Sequence, residues 1–213
     1  MQVKRTANAG VLLEMDGVKL LLDGVCGRVD PYLETPAEEK AALLADPPQA
    51  ALFTHGHLDH CDASFIPAYL EKTAGPVMGP ADIPYCEAGA KQIGNVKITP
   101  VESRHIGKTD GALHRCYVIE GSKCVWFMGD ASPLQIRKWT QLPKPQVVIA
   151  PYAYATGNAW QLCKELGAET VVLLHLPEKG SDPFGLWDAV AQTVGQDTTP
   201  KLLIPQIGET ISI

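Results

Sequence analysis

Short apolar runs separated by polar turns predict strands at the start of the chain. Val11–Met15 and Val18–Leu22 flank Asp16-Gly17, a dipeptide typical of the two-residue turn of a β-hairpin. This hairpin is predicted to end at Asp23. The segment Thr35-Pro36-Ala37-Glu38 then has the spacing of a helix capping box with proline in the first turn, and helix formers follow it up to two consecutive prolines. The pattern predicts a surface helix.

The rest of the chain alternates between strand-like and helix-like segments. Apolar residues 50–54 lead directly into a group of histidines, and residues 64–73 are typical of a helix. Further strands are predicted at 96–99, 116–120, 124–128, 147–150, 171–174 and 209–213, and helices near 134–139, 159–166 and 185–194. Antiparallel hairpins at both ends, alternation between them and the absence of a Gly/Ser-rich linker predict a single α/β layered domain over residues 1–213.

Composition narrows the classes of function. The chain has 213 residues, of which 46% are hydrophobic, so it can bury a sizeable core. Its net charge of −6 and the lack of a basic run argue against nucleic acid as a partner. Six cysteines without a C-x-x-C pair predict reduced, mostly buried thiols. No leader peptide or apolar run of ~18 residues is visible, which predicts a soluble, cytoplasmic protein with no membrane contact and leaves its oligomeric state open.

The chemistry is concentrated after the strand at residues 50–54, where four side chains that bind metals fall within six positions: His55, His57, Asp59 and His60. Imidazole nitrogen and carboxylate oxygen are ligands that zinc, iron and manganese accept. Residues two apart on an extended segment point the same way, so His55 and His57 can hold one ion while Asp59 and His60 face a second. A polar loop of hydrogen-bonded histidines is the alternative. Further ligand types downstream favour the metal site.

This cluster resembles the H-x-H-x-D-H signature of the metallo-β-lactamase superfamily, and the likeness continues in the expected order from Asp23 to His175. The resemblance implies a four-layer αβ/βα sandwich with the histidine cluster at one edge between two sheets. Within the superfamily, the strand order and the Gly-Asp pair ending at Asp130 are most similar to the compact hydrolases that include the ascorbate-phosphate lactonase type.

The resemblance implies a full set of metal ligands: His55, His57, Asp59, His60, His105, Asp130 and His175. His105 follows a predicted strand and would complete the first site. His114 is the rival, but it stands where the family usually has a glycine-containing entry to a strand, so His105 is preferred. His114 would then touch substrate or lie exposed.

Three further residues keep an alternative interpretation. Asp130 matches the carboxylate that bridges both ions, although it could simply be an aspartate at a helix N-terminus. His175 matches the last histidine of the second site, although it could be a core histidine. Asp23 matches an aspartate that supports the metal loop by hydrogen bonds, although it could cap the turn before Gly24.

The implied activity is hydrolysis of an ester, lactone or phosphodiester bond in a small-molecule substrate. Two divalent ions, Zn²⁺ first and Mn²⁺ or Fe²⁺ as alternatives, would share a bridging water as the nucleophile, and Asp59 or Asp130 would accept its proton. Residues 151–160 are the first candidate for a pocket wall, although their aromatics could equally be ordinary packing, and residues 177–187 are a second candidate. Exported β-lactamases, glyoxalase II-like thioesterases and transfer-RNA nucleases fit less well. A mononuclear-iron or other redox member of the superfamily and a non-catalytic metal-binding protein remain the alternatives.

Overall fold

The structure is a computed structural model that describes residues 1–107 and 111–213. It contains two β-sheets, and the first is built from β1 (Gln2–Arg5), β2 (Val11–Met15), β3 (Val18–Leu22), β4 (Ala50–Leu52), β5 (Val77–Met78) and β13 (Thr210–Ser212). Their spatial order is β13-β1-β2-β3-β4-β5. The predicted hairpin of β2 and β3 is confirmed, with Met15 opposite Val18. The pairs β3–β4 and β4–β5 are parallel.

The second sheet has seven strands: β6 (Lys91–Ile93), β7 (Val96–Ser103), β8 (His114–Glu120), β9 (Cys124–Phe127), β10 (Val147–Pro151), β11 (Thr170–Leu174) and β12 (Lys201–Leu203). They are arranged in the order β12-β11-β10-β9-β8-β7-β6. Strands β6 to β9 form antiparallel pairs, and β9 to β12 are joined in parallel. Every residue of β10 and β11 is buried, as expected for central parallel strands covered on both faces.

Helices cover the outer face of each sheet. On the first sheet, α1 (Ala37–Ala45) and α2 (Phe65–Lys72) supply apolar side chains that pack against β3, β4 and β5. On the second sheet, α3 (Ala159–Leu166) and α4 (Leu186–Val194) do the same, together with two 3₁₀ helices at Pro133–Lys138 and Tyr152–Ala155. A third core, formed by side chains from both sheets, fills the space between them. The predicted four-layer αβ/βα sandwich is therefore confirmed.

The helix predicted near 134–139 is present as a 3₁₀ helix. Two local predictions are wrong. Thr35 does not cap α1, because its hydroxyl accepts the amide N–H of Cys26 at 2.8 Å and the helix starts after Pro36 without a side-chain cap. The last two strands do not form a hairpin, because β12 pairs with β11 in the second sheet while β13 crosses to pair with β1 in the first.

Strand direction decides where the polar side chains meet. Asp23 follows β3, the histidine loop follows β4, and His105, Asp130 and His175 follow β7, β9 and β11. Since β7 and β9 both run antiparallel to β8, and β9 to β11 are parallel, all these strands end at the same edge of the sandwich. His114 reaches this edge from the start of β8. Within the described residues, no helix is long and apolar enough to cross a membrane.

Candidate metal centre

All six histidines of the chain lie in one cluster at this edge. Five of them are buried, and only His57 is exposed. Buried imidazoles are normally paired with a hydrogen-bonding partner or a metal ion. This cluster contains every histidine of the 213-residue chain, so its buried ring nitrogens need hydrogen-bonding partners or a metal ion.

The first group of donor atoms comes from His55, His57 and His105, which lie within 4.8 Å of one another. His55 Nε2 is 3.1 Å from His57 Nδ1 and 3.3 Å from His105 Nε2. Ligand atoms on a tetrahedral zinc ion are ~3.4 Å apart, because each bond is ~2.0–2.1 Å long. The three imidazoles thus have the separation that one such ion requires, and His105 belongs to this group as the sequence suggested.

The second group consists of Asp59, His60 and His175, whose donor atoms also lie within 4.8 Å of one another. Asp59 Oδ2 is 3.2 Å from His175 Nε2. This group contains two nitrogens and one oxygen, a donor set that zinc, manganese and iron accept. The structure therefore brings together the three residues that the sequence assigned to a second ion.

Asp130 lies between the two groups. Its Oδ2 is 3.5 Å from His105 Nε2 in the first group and 3.6 Å from His175 Nε2 in the second, while its Oδ1 is 3.5 Å from His60 Nε2. The preceding residue, Gly129, has φ +47°. A Cβ added to Gly129 would lie 2.4 Å from the hydroxyl oxygen of Thr54. Only glycine permits this approach, so Gly129 places Asp130 against the metal loop.

Two atoms in the centre of the site have no partner. His60 Nε2 and Asp130 Oδ1 are buried and make no hydrogen bond within the described residues. A buried polar atom left unpaired costs about 1–3 kcal/mol, so such atoms in a native protein normally face an ion or water. These two atoms face each other at 3.5 Å, which is close to the separation of two ligand atoms on one zinc ion. The residues present therefore fit a cation bound at this point.

Asp23 supports the site through hydrogen bonds to Thr54 and His60. It is fully buried, and its Oδ1 accepts the amide N–H of Thr54 at 2.7 Å. Its Oδ2 accepts the Thr54 hydroxyl at 2.5 Å and the Nδ1–H of His60 at 2.9 Å. Because both oxygens are occupied, Asp23 orients His60 with Nδ1 toward its carboxylate and Nε2 toward the ligand groups. Asp23 thus acts through His60, although its own oxygen also lies near His55.

The charges of the site suit a cation. Burial keeps the pKa of His55 far below its usual range, so this imidazole is neutral. Burial opposes ionisation of Asp130, but the imidazoles of His60 and His175 outweigh it and hold the pKa of Asp130 well below its usual value. A neutral imidazole and an ionised carboxylate are the states that bind a divalent metal.

The backbone is strained at two of these positions. Asp23 and His175 adopt left-handed conformations, with φ 44° and 59°. Such a conformation costs on the order of 1–3 kcal/mol for a residue other than glycine, and it persists only where surrounding contacts enforce it. The amide N–H of His175 donates to the carbonyl of Asn8 at 3.1 Å, and the hydrogen bonds of Asp23 hold the metal loop. Both conformations aim a side chain into the site.

We expect Asp23→Asn to weaken metal binding by about 10–100-fold, because the amide replaces one accepting oxygen with an NH₂ group and cannot accept both the Thr54 amide N–H and the His60 Nδ1–H. Asp46→Asn is the matched control, since it makes the same change at an exposed carboxylate that pairs with Lys19. Competition with a chromophoric chelator measures both affinities. Equal affinities in the two variants would show that Asp23 does not support the site through His60.

The structure adds neighbours that the sequence did not single out. The ring of Tyr32 lies edge-on against His175 with the centroids 4.3 Å apart, and Asn8 Nδ2 is 3.4 Å from His175 Nδ1. Neither residue belongs to a recognisable motif. Tyr152 is the one aromatic of the predicted wall at 151–160 that lies near His175, at 6.2 Å. Tyr154 and Trp160 are buried in the core behind the second sheet, so that part of the wall prediction is wrong.

His114 is buried, not exposed. Its Nδ1 is 2.6 Å from the hydroxyl of Ser103, and its ring centroid is 5.0 Å from that of His55 and 5.6 Å from that of His105. Its Nε2 has no hydrogen-bond partner within the described residues. Three groups of donor atoms converge among those residues, the two described above and a third formed by Asp23, His55 and His60, and none of them includes His114. The structure therefore places His114 next to the first ligand group but outside its converging donor atoms.

Comparisons with known proteins give a family match and relatives of the same fold. A family model described as "Beta-lactamase superfamily domain" matches residues 2–175. A metal-dependent hydrolase from Myxococcus xanthus is 26% identical, in a match that covers 87% of this chain and 76% of that protein. Two solved structures share the fold over 100% of this chain and 99% of theirs: an isothiocyanate hydrolase from Delia radicum gut bacteria (17% identity, TM-score 0.74) and a possible metal-dependent hydrolase from Veillonella parvula (15%, 0.75).

Proposed function

The chain belongs to the β-lactamase superfamily, and on that basis we propose that it is a metal-dependent hydrolase of a single domain with a dinuclear site. The observation that carries the proposal is the pair of converging ligand groups with Asp130 between them. The unpaired buried atoms His60 Nε2 and Asp130 Oδ1 support the second ion, because both would bind it. The Myxococcus relative, a metal-dependent hydrolase, points to the same class of activity.

The proposed first ion is held by His55, His57 and His105, and the second by Asp59, His60 and His175, with Asp130 shared. The nitrogen-rich donor set favours Zn²⁺ and also accepts Mn²⁺ or Fe²⁺. A mononuclear redox site would leave the second group without a role, although its three donor atoms converge as closely as those of the first. This convergence favours the dinuclear site over the mononuclear alternative.

When bound, two such ions would lower the pKa of a water so that its hydroxide form can attack the substrate at neutral pH. They would also act as Lewis acids on the oxygen of the substrate. Asp59 and Asp130 are the carboxylates close enough to take a proton, and Asp59 is the more exposed of the two. Cys61 follows His60 directly but is no rival nucleophile, because burial raises the pKa of its thiol far above neutrality. The side chains of Tyr32 and Tyr152 cover His175 and limit the access of bulk water.

The proposed substrate is a small molecule with an ester, lactone or phosphodiester bond. Because an isothiocyanate hydrolase has the same fold, isothiocyanates, which also carry an electrophilic carbon, are included in the screen. The test compares chelator-dialysed protein with protein reloaded with Zn²⁺, Mn²⁺ or Fe²⁺ on esters, lactones, thioesters, phosphodiesters, β-lactams and isothiocyanates. We expect hydrolysis of at least one class to depend on the metal. Reloaded protein that binds two ions but hydrolyses none of them would contradict the proposal.

A further inference from the structure

A cavity of about 230 Å³ adjoins the metal centre on the side of His175. Asn8 and Tyr32 line it, and both contact the His175 side chain from that direction. At ~30 Å³ per water molecule, the volume holds about seven or eight waters, or one short organic chain. The cavity therefore has the position and size to receive the part of a small substrate that extends beyond the reacting bond.

The wall of this cavity contains a buried cation. Arg5 lines the cavity and is only 7% exposed. Its guanidinium donates to the carbonyls of Ala7 at 3.1 Å, Pro205 at 3.0 Å and Asn8 at 2.9 Å. A guanidinium has five N–H donors, so two remain. Burial lowers the pKa of Arg5 to about 10, which still leaves it protonated at neutral pH.

No carboxylate neutralises this charge. Within the described residues, Arg5 forms no salt bridge, whereas buried charges in proteins are normally paired. The other charged residues that line the cavity, Glu178 and Lys179, are both exposed, and the Lys179 ammonium lies 5.4 Å above the ring of Trp187. The lining thus has one net positive charge and a buried cation without a counterion.

Apolar side chains form much of the remaining wall. Leu33, Leu176, Trp187 and Ile204 line the same cavity. Trp187 is fixed there because its indole N–H donates to the carbonyl of Pro177 at 2.9 Å. A ligand that fits these surroundings has a short apolar middle and a negatively charged end.

We infer that this cavity binds the anionic end of the substrate, a carboxylate or phosphate, with Arg5 as its counterion, while the bond to be cleaved lies at the metal centre. The inference rests on the proposed hydrolase function and adds a substrate class to it. It assigns Arg5 to substrate specificity, beyond its hydrogen bonds to the main chain.

The test uses two esters that differ only at the far end: mono(4-nitrophenyl) glutarate, which ends in a carboxylate, and the 4-nitrophenyl ester of glutaramic acid, which ends in the neutral amide. With metal-loaded wild-type protein, we expect kcat/KM to be at least ~10-fold higher for the carboxylate ester, mainly through a lower KM, because hydrogen bonds to a charged group are the stronger ones. Equal kcat/KM values in the wild type would overturn the inference.

Replacing Arg5 would also break its hydrogen bonds to three main-chain carbonyls. The test variant therefore keeps Arg5 and adds a negative charge to the cavity. Gln206 lines the cavity, and Gln206→Glu adds a carboxylate of the same size. We expect this variant to lose the preference, so that kcat/KM for the carboxylate ester no longer exceeds that for the amide ester. Gln161→Glu, on the exposed side of α3, is the matched control and should keep the preference.

Calorimetry with the two products separates the inference from the proposed function. Glutarate and glutaramate share the carboxylate that faces the metal centre, and glutarate should bind metal-loaded wild-type protein at least ~10-fold more tightly, with the difference lost in Gln206→Glu. Such binding without hydrolysis would support the cavity and contradict the hydrolysis of these esters. Hydrolysis of both esters at equal rates would contradict the cavity and leave the hydrolase intact.

Discussion

Asp130→Asn is expected to lose the second metal ion and to reduce hydrolysis by about 10³-fold while the fold persists. Asparagine keeps the size of the side chain but removes the negative charge that both ligand groups share. The side chain lies at the end of β9 and contributes little to either core, so folding should not depend on it. Metal content by mass spectrometry, turnover and circular dichroism together measure these effects.

The control for this variant is Asp46→Asn, which removes an exposed carboxylate paired with Lys19 far from the metal centre. It should keep both ions and full activity. If purified Asp130→Asn matched this control in metal content and turnover, Asp130 would not join the two groups and the dinuclear mechanism would be wrong.

The second large effect is expected from His105→Asn, compared with His114→Asn. The ring of His105 reaches His55 Nε2 and Asp130 Oδ2, whereas His114 is bonded to Ser103 and belongs to no converging group. His105→Asn should weaken the binding of the first ion by more than ~100-fold, since the loss of even an indirect partner of a ligand costs 10–100-fold. His114→Asn should leave two ions bound, because asparagine can still pair with the Ser103 hydroxyl.

Spectroscopy of the cobalt-substituted protein provides the measurement. The visible spectrum of Co²⁺ reports the number and type of ligands, so it should change in His105→Asn and remain close to wild type in His114→Asn. The opposite pattern would make His114 the ligand and His105 a neighbour, and the first site would have to be redrawn.

Much of the site could be predicted because its residues follow strands. Asp23, His105, Asp130 and His175 each follow a strand, and the carboxyl ends of strands that run in the same direction meet at one edge of a sheet. The resemblance to the family implied which of these side chains bind metal, and strand direction accounts for their meeting at one edge. The alternation of strands and helices predicted an α/β layered domain, and the resemblance implied that it is an αβ/βα sandwich.

What could not be predicted depends on contacts between distant segments. Arg5 hydrogen-bonds to Pro205, 200 positions away, and Tyr32 contacts His175 from a loop with no motif. The hydroxyl of Thr35 is taken by the amide of Cys26, which the local capping pattern does not reveal. The aromatics at 151–160 looked like a pocket wall because polarity alone does not distinguish a side chain beside a cavity from one packed in a core.

The central claim, two metal ions acting together in one site, is tested most directly by adding metal to chelator-dialysed protein and following hydrolysis of a responsive substrate. Bound metal and turnover are measured at each step of the titration. We predict that activity rises with the second equivalent and reaches a plateau at two ions per chain. A plateau already reached at one ion per chain, with no further change on filling the second site, would contradict the account.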